Sequence, residues 1–253
     1  MKKFFTLVAS LLLAFGAASA QELQFQYDFV RSQKNVLLDS KFESPQPQYT
    51  ATLTATHFDK WGSTFYFVDF DFASASNTNK VIYGEIQRSL NFWSDTALKD
   101  FYVEVEYDAG TLREGAGWTI SQAFLTGAAY SFHNADFSNF LQLQVLYRKF
   151  FDKNVKQQVP LQFTAVYTCR DLFGLKGLLF SGFADLWWQD QVFLNGDTTH
   201  VIFSAEPQLW YNVGQHFGVD NFHIGGEVEV SFNAYNLVQH FTAYPAAGVR
   251  WTF

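Results

Sequence analysis

Acidic side chains recur in pairs separated by a single residue. Such pairs are Asp69 with Asp71, Glu104 with Glu106, and Glu227 with Glu229. On a β-strand, side chains two residues apart point to the same face, so each pair presents two carboxylates together. Two neighbouring carboxylates could perform acid–base chemistry. Their repetition along several segments favours the lining of an aqueous channel over catalysis.

Other residue types with catalytic or metal-binding capacity lack the spacing that such chemistry needs. The six histidines are scattered, there is no His-Glu-x-x-His motif, and Cys169 is the only cysteine. A metal site needs clustered ligands, and a serine hydrolase of the common type needs Gly-x-Ser-x-Gly, which is absent. We therefore predict that the chain is not an enzyme and has no metal site and no cofactor.

The composition combines many aromatic rings with few charges. Aromatic residues make up 19% of the chain and charged residues 16%, with a mean hydropathy of −0.06. A soluble domain carries about 25% charged residues, so this balance indicates that part of the exterior faces lipid. The net charge of −7 argues against a nucleic-acid partner, because phosphate binding needs a basic surface.

The first 20 residues have the features of a signal peptide. Lys2 and Lys3 precede an apolar run that ends in Ala18-Ser19-Ala20, which predicts cleavage between Ala20 and Gln21. The apolar run is only about 15 residues, whereas a membrane-spanning helix needs about 20. We therefore expect a signal peptide at 1–20 and one domain at 21–253, with a net charge of −9 once Lys2 and Lys3 are removed.

Apolar and polar residues alternate with a period of two along most of the domain, which predicts β-strands. Leu143 and Val145, for example, alternate with Gln142 and Gln144. The clearest strands are predicted at 22–30, 101–108, 141–148, 161–168, 223–233 and 247–253. Weaker strands are predicted at 49–58, 63–72, 81–90, 117–132, 177–190 and 200–212. The total is 12, an even number, as in single-chain bacterial outer-membrane barrels.

These strands predict an all-β fold, a closed antiparallel transmembrane β-barrel of about 12 strands. In lipid a sheet must close on itself, because every backbone group needs an internal partner. A soluble, lipocalin-like barrel would instead hold its apolar face inside. Aromatic residues near the strand ends and the alternating ending Gly248–Phe253 favour the membrane arrangement. That ending resembles the C-terminal signal read by the outer-membrane assembly machinery.

The alternation also predicts which side chains enter the lumen. Ten acids are expected there, against Arg148 and Arg250 only. The acids are Asp28, Asp69, Asp71, Glu85, Glu104, Glu106, Asp185, Glu206, Glu227 and Glu229. The same alternation also directs the rings of Phe67, Tyr83 and Trp210 into the lumen. About 12 strands give a narrow pore, and an acidic wall favours cations or neutral solutes over anions.

One pair of segments resembles a known family. Phe65-Tyr66-Phe67-Val68-Asp69-Phe70-Asp71-Phe72 is followed by a polar loop and by Val81-Ile82-Tyr83-Gly84-Glu85-Ile86. This pair is similar to the nucleoside-specific channel family Tsx, which has a Phe-Val-Asp-Phe core and an acid on the next strand. The resemblance, specific only over Phe65 to Asn91, implies a monomeric 12-stranded channel for nucleosides. It extends to Asp69, Phe70 and Glu85 as candidate site residues.

Three classes of function follow from these observations. The first is a passive outer-membrane channel for small solutes. The second is a structural or partner-binding barrel with a blocked lumen, and the third is an envelope-modifying barrel enzyme. A continuous water path would separate the first from the second, whereas a Ser-His or metal cluster near one rim would favour the third. The expected partners are the outer-membrane bilayer, the assembly machinery and a small solute.

Overall fold

A computed structural model of the protein describes residues 19–28, 49–72, 80–111, 121–234 and 240–253. The predicted signal peptide therefore lies outside the described residues up to position 18. Within the described ranges the chain forms 13 β-strands and two short 3-10 helices, Leu172–Gly174 and Gly214–Phe217. None of the helices described is long and apolar enough to cross a membrane.

The first nine strands follow one another along the chain as antiparallel neighbours, from β1 to β9. They are β1 (Ser19–Asp28), β2 (Tyr49–Asp59), β3 (Gly62–Phe72), β4 (Lys80–Leu90), β5 (Phe101–Thr111), β6 (Ala123–His133), β7 (Asn139–Phe150), β8 (Leu161–Arg170) and β9 (Leu178–Val192). The remaining strands are β10 (Thr198–Ala205), β11 (Gln208–Tyr211), β12 (Phe222–Phe232) and β13 (Phe241–Thr252). β13 pairs with both β12 and β1, and this closes the sheet into a barrel.

β10 and β11 together occupy one strand position of the barrel, and we call each such position a stave. Ala205 pairs with Ala184 and Gln208 pairs with Ser181, so the register against β9 is the same on both sides of the interruption. The interruption coincides with Pro207, which has no N–H to donate to a ladder. Opposite it, Gly182 has a φ of +149°, and a Cβ there would come within 2.2 Å of the Glu206 carbonyl oxygen. The barrel thus has 12 staves, as predicted.

The predicted strands agree with the described ones except at two places. β6 begins at Ala123, directly after Gln122, which interrupts the alternation, and the first four residues of the strand predicted at 117–132 lie outside the described residues. β13 begins at Phe241, although the last strand was predicted to begin only at 247. The period-two signal is absent there because Ala243, Pro245 and Ala247 alternate with Tyr244 and Ala246, which gives no polarity contrast.

The two faces of the sheet differ as the alternation predicts. Val145 is 50% exposed on the outer face, whereas its neighbour Gln144 is 1% exposed on the inner face. The side-chain amide of Gln87 on β4 donates to the Gln144 carbonyl oxygen at 3.0 Å. Because β4 and β7 are separated by β5 and β6, this bond crosses the interior and identifies the inner face.

The barrel has two ends that differ in their connections. At the terminal rim, where β1 begins and β13 ends, the connections are 60–61, 91–100, 134–138, 171–177 and 212–221. At the far rim they are 29–48, 73–79, 112–122, 151–160, 193–197 and 233–240, four of which lie wholly or mostly outside the described residues. The chain ends therefore share one rim with connections of ten residues or fewer.

Candidate functional site

One side of the interior, formed by β5 to β7, is packed. Ala123, Leu125, Leu146 and Phe150 form a buried apolar cluster on the inner face. Beside it Glu104 is 0% exposed and accepts a hydrogen bond from the Ser89 hydroxyl at 2.7 Å. The sequence analysis did not predict this cluster. Leu146 lies two residues from both Gln144 and Arg148, so the alternation places its side chain on the same face as theirs.

The neighbouring strands, β3 and β4, present a half-buried strip of aromatic and acidic groups. Phe67, Asp69, Tyr83 and Glu85 belong to the inner face, yet solvent reaches each of them. The Phe67 and Tyr83 rings meet edge to face with centroids 5.8 Å apart, and the Tyr83 hydroxyl donates to Glu85. Because this face lies inside a closed barrel, the accessible surface must border space within the lumen.

Threonines of β2 hold the acids of β3 in place. The Thr52 hydroxyl donates to Asp69 at 2.5 Å, and the Thr50 hydroxyl donates to Asp71 at 2.7 Å. These pairs are cross-strand neighbours on one face, which is why the two carboxylates keep a fixed orientation. Phe70, by contrast, pairs with Ala51, which pairs with the exposed Phe25, so Phe70 lies on the outer face.

Acids on the far side of the lumen lie close to this strip. Asp69 is within electrostatic reach of Glu227 and Glu229 on β12, and Glu206 is within reach of Asp69 and Glu85. The Gln208 amide donates to Glu227 at 2.9 Å. Strands that are distant in the sheet therefore bring their carboxylates together across a narrow interior.

Arg148 is the centre of a second group, toward the far rim. Its guanidinium forms an ion pair with Asp108 at 3.1 Å and donates to Gln162. It also lies 4.8 Å from the centroid of Phe150 and 5.1 Å from that of Trp187. Asp108 was missing from the predicted lumen acids, although it follows Glu104 and Glu106 in the same alternation.

Three carboxylates meet beside Arg148. Glu85, Glu106 and Asp108 each offer an oxygen within 4.8 Å of the others. The Gln87 amide donates to Glu106 at 2.8 Å. The sequence predicted no metal site, and these three oxygens are of the kind that hard cations take. Arg148 already supplies a positive charge to the same group, so the cluster is partly compensated without an ion.

Arg250 lies at the other end of the lumen, near the terminal rim. It is 6% exposed, pairs with Glu22, and its guanidinium lies 6.0 Å from the centroid of the Trp210 ring. The strand register puts 11 of the 12 predicted site residues on the inner face, namely Phe67, Asp69, Asp71, Tyr83, Glu85, Glu104, Glu106, Arg148, Glu227, Glu229 and Arg250. The twelfth, Glu206, lies in the interruption between β10 and β11, within electrostatic reach of the inner acids Glu227 and Asp69. Their part in passing a solute is a separate matter.

The strands and the inner face define a closed, antiparallel barrel of 12 staves with a polar and aromatic interior. The chain belongs to the family described as Domain of unknown function (DUF5020), whose profile matches residues 20–253. No curated protein matches the chain. The resemblance to the Tsx family, which this family description does not name, stays a prediction.

Several solved outer-membrane structures are similar to the chain. The KdgM porin in complex with disordered oligogalacturonate has 11% identity and a TM-score of 0.44, over 93% of this chain and 99% of that one. The translocator domain of the autotransporter NalP from Neisseria meningitidis has 9% identity and a TM-score of 0.40, over 100% and 94%. Omp33 from Acinetobacter baumannii has 10% identity and a TM-score of 0.39, over 93% and 98%.

Proposed function

We propose that this protein is an outer-membrane channel that lets small polar solutes diffuse passively. Each described strand pairs with a neighbour on both sides, so the sheet closes on itself, which is the condition for placing strands in lipid. The outer face exposes rings and aliphatic side chains, among them Phe25, Leu143, Val145 and Ile224. In this arrangement the terminal rim faces the periplasm and the longer far-rim connections face outward.

The observation that carries the proposal is the half-buried strip on the inner face. Phe67, Asp69, Tyr83 and Glu85 keep accessible surface although a closed barrel surrounds them. Aqueous channels through 12-stranded barrels are narrow, and a strip of this kind is the wall that a small solute would contact. Its two rings can stack on a planar group, while its carboxylates accept hydrogen bonds from hydroxyls.

A nucleoside combines such a planar ring with hydroxyl groups. We infer that nucleosides are among the solutes, on the basis of this pairing of rings and acids together with the Tsx-like segments. Acidic side chains in the lumen outnumber the two arginines, Arg148 and Arg250. The wall of the lumen therefore carries net negative charge, which favours cations and neutral solutes over anions.

The test is single-channel conductance of the purified protein in a planar bilayer. We expect a small conductance that prefers potassium to chloride, and partial block by an added nucleoside. Preference for chloride would refute the acidic lumen. A channel that no nucleoside blocks would refute the nucleoside inference and leave the channel itself standing.

A specific observation favours a second candidate, a barrel whose lumen is closed and which serves a structural or partner-binding role. The Gln87–Gln144 hydrogen bond bridges the interior, and Leu125, Leu146 and Trp210 are fully buried. The same bilayer measurement decides between the two, because a closed barrel gives no current. Conductance that appears only when Gln144 is replaced by alanine would support the closed state.

A further inference from the structure

A cavity of about 450 Å³ opens at the terminal rim of the barrel. Its wall includes Glu22, Arg170, Lys176, Leu179, His223 and Arg250. Glu22, Arg170, His223 and Arg250 come from the inner faces of β1, β8, β12 and β13. Lys176 comes from the 171–177 connection. The volume lies within the range of about 300–1,000 Å³ that is usual for small-molecule sites.

Cationic side chains converge on this cavity, and two of them are not neutralised. Arg250 is within electrostatic reach of Arg170 and His223. Among the described residues, neither Arg170 nor Lys176 has an acid within ion-pair distance of 4.0 Å. Asp136 lies within electrostatic reach of Arg170 but outside that distance. Like charges held near one cavity repel, so an anion between them would be stabilised.

The acids at the cavity are partly engaged by other groups. Glu22 is paired with Arg250, and Asp171 accepts the backbone N–H of Gly177 at 2.7 Å. Asp220 is exposed to solvent. None of these acids therefore forms an ion pair with Arg170 or Lys176.

One buried nitrogen atom of the cavity wall points to the same conclusion. The Nε of Arg250 is buried and has no hydrogen-bond partner among the described residues. A buried donor without a partner costs about 1–3 kcal/mol, so native proteins rarely leave one unexplained. An oxyanion can accept from the Arg250 guanidinium.

We propose that the terminal-rim cavity is a binding site for a small oxyanion, such as an organic carboxylate or a phosphate. Arg250 supplies a fixed, buried guanidinium, and Arg170 and Lys176 supply charge that has no ion-pair partner among the described residues. The site lies at the mouth of the lumen and binds its ligand whether or not the barrel conducts.

Isothermal titration of the purified full chain in detergent micelles tests the proposal, in a buffer free of oxyanions. Citrate is titrated in one arm and inorganic phosphate in the other, so that the two sources of the shared chemistry are separated. We expect saturable binding of at least one of them, weakened by added sodium chloride because the contacts are ionic.

The decisive variant is R170Q/K176Q, which removes both unpaired charges from exposed positions. We expect its Kd to rise at least tenfold. The matched control is K153Q/K156Q, which removes two exposed lysines at the far rim and should change the Kd less than twofold. R250K keeps the charge, loses the guanidinium fork and should also weaken binding.

Three results would overturn the proposal. The first is the absence of saturable binding in both arms. The second is an unchanged Kd in R170Q/K176Q. The third is an equal loss in R170Q/K176Q and K153Q/K156Q, which would mean that net charge alone attracts the anion. None of these results depends on channel conductance, so the channel proposal fails or stands separately.

Discussion

At the scale of single residues, the charges inside the barrel fall into a compensated and an uncompensated group. Arg148 is paired with Asp108, donates a hydrogen bond to the side-chain oxygen of Gln162 and lies against two rings. Asp69 instead accepts from the Thr52 hydroxyl and faces other acids across the lumen, while Glu85, which accepts from the Tyr83 hydroxyl, lies between the two groups. The first group should govern stability and the second should govern the passing solute.

Replacement of Arg148 by glutamine should destabilise the barrel by about 3–5 kcal/mol, because Asp108 would keep a buried charge without its partner. The measurement is urea-induced unfolding in micelles, followed by tryptophan fluorescence. K149Q is the control, because Lys149 is the next residue and faces outward. The double variant D108N/R148Q should lose less than the sum of the two single losses. Simple additivity would show that the two residues are not coupled.

Replacement of Asp69 or Glu85 by its amide should weaken the block of the channel by a nucleoside. The amide retains the shape but loses the charged acceptor, which typically makes hydrogen bonds worth about 1.5–3 kcal/mol. The corresponding rise in the blocking concentration is about tenfold or more. D171N at the terminal rim is the control and should leave the block unchanged. Equal blocks in all variants would remove these two acids from the solute path.

At the scale of the strand, alternation assigns each residue to lipid or to the lumen. Val145 is half exposed near the middle of β7, between two inner residues, Gln144 and Leu146. If the outer face meets the bilayer, V145R should cost about 2–4 kcal/mol. Urea unfolding in liposomes measures this cost, and K149R near the end of the same strand should be close to neutral. A V145R barrel as stable as the natural one would contradict the membrane placement.

The last strand is expected to carry the assembly signal. Its final residues alternate, with Trp251 and Phe253 exposed and Arg250 buried. Deletion of Phe253 should reduce the amount of folded, heat-modifiable barrel in the outer membrane while the transcript level stays constant. Deletion of Val192 at the far end of β9 serves as a comparison for general damage to a strand. Normal assembly without Phe253 would mean that recognition does not use this ending.

At the scale of the whole molecule, side chains fill the lumen unevenly. The β5–β7 side is filled by Leu125, Leu146 and Phe150, whereas the β3–β4 side remains accessible. A solute would therefore pass along the acidic strip and not through the centre of a round pore. The field of that strip should act on ions mainly at low ionic strength.

Cation selectivity should consequently decrease as salt rises. The Debye length is about 10 Å at 0.1 M and about 3 Å at 1 M, so the potential of the wall reaches across a narrow lumen only in dilute salt. Reversal potentials under potassium chloride gradients measure the permeability ratio at both concentrations. A ratio that does not change with salt would indicate selection by size or by direct coordination.

The sequence alone determined the strands, the number of staves and the inward or outward direction of most side chains. Side-chain direction on a strand depends only on parity, so Gln144, Glu227 and Val145 could be assigned before any partner strand was known. The assignment failed where alternation carries no polarity contrast, as at the start of β13, and it left out Asp108 and Leu146.

Only the tertiary structure decided which inner residues meet. The Gln87–Gln144 bond, the approach of Asp69 to Glu229 and the cavity that joins Arg170 to Arg250 each unite strands that are not neighbours along the chain. These contacts depend on how the interior of a closed barrel is filled. That is a property of packing across the lumen, and a local pattern of residues does not encode it.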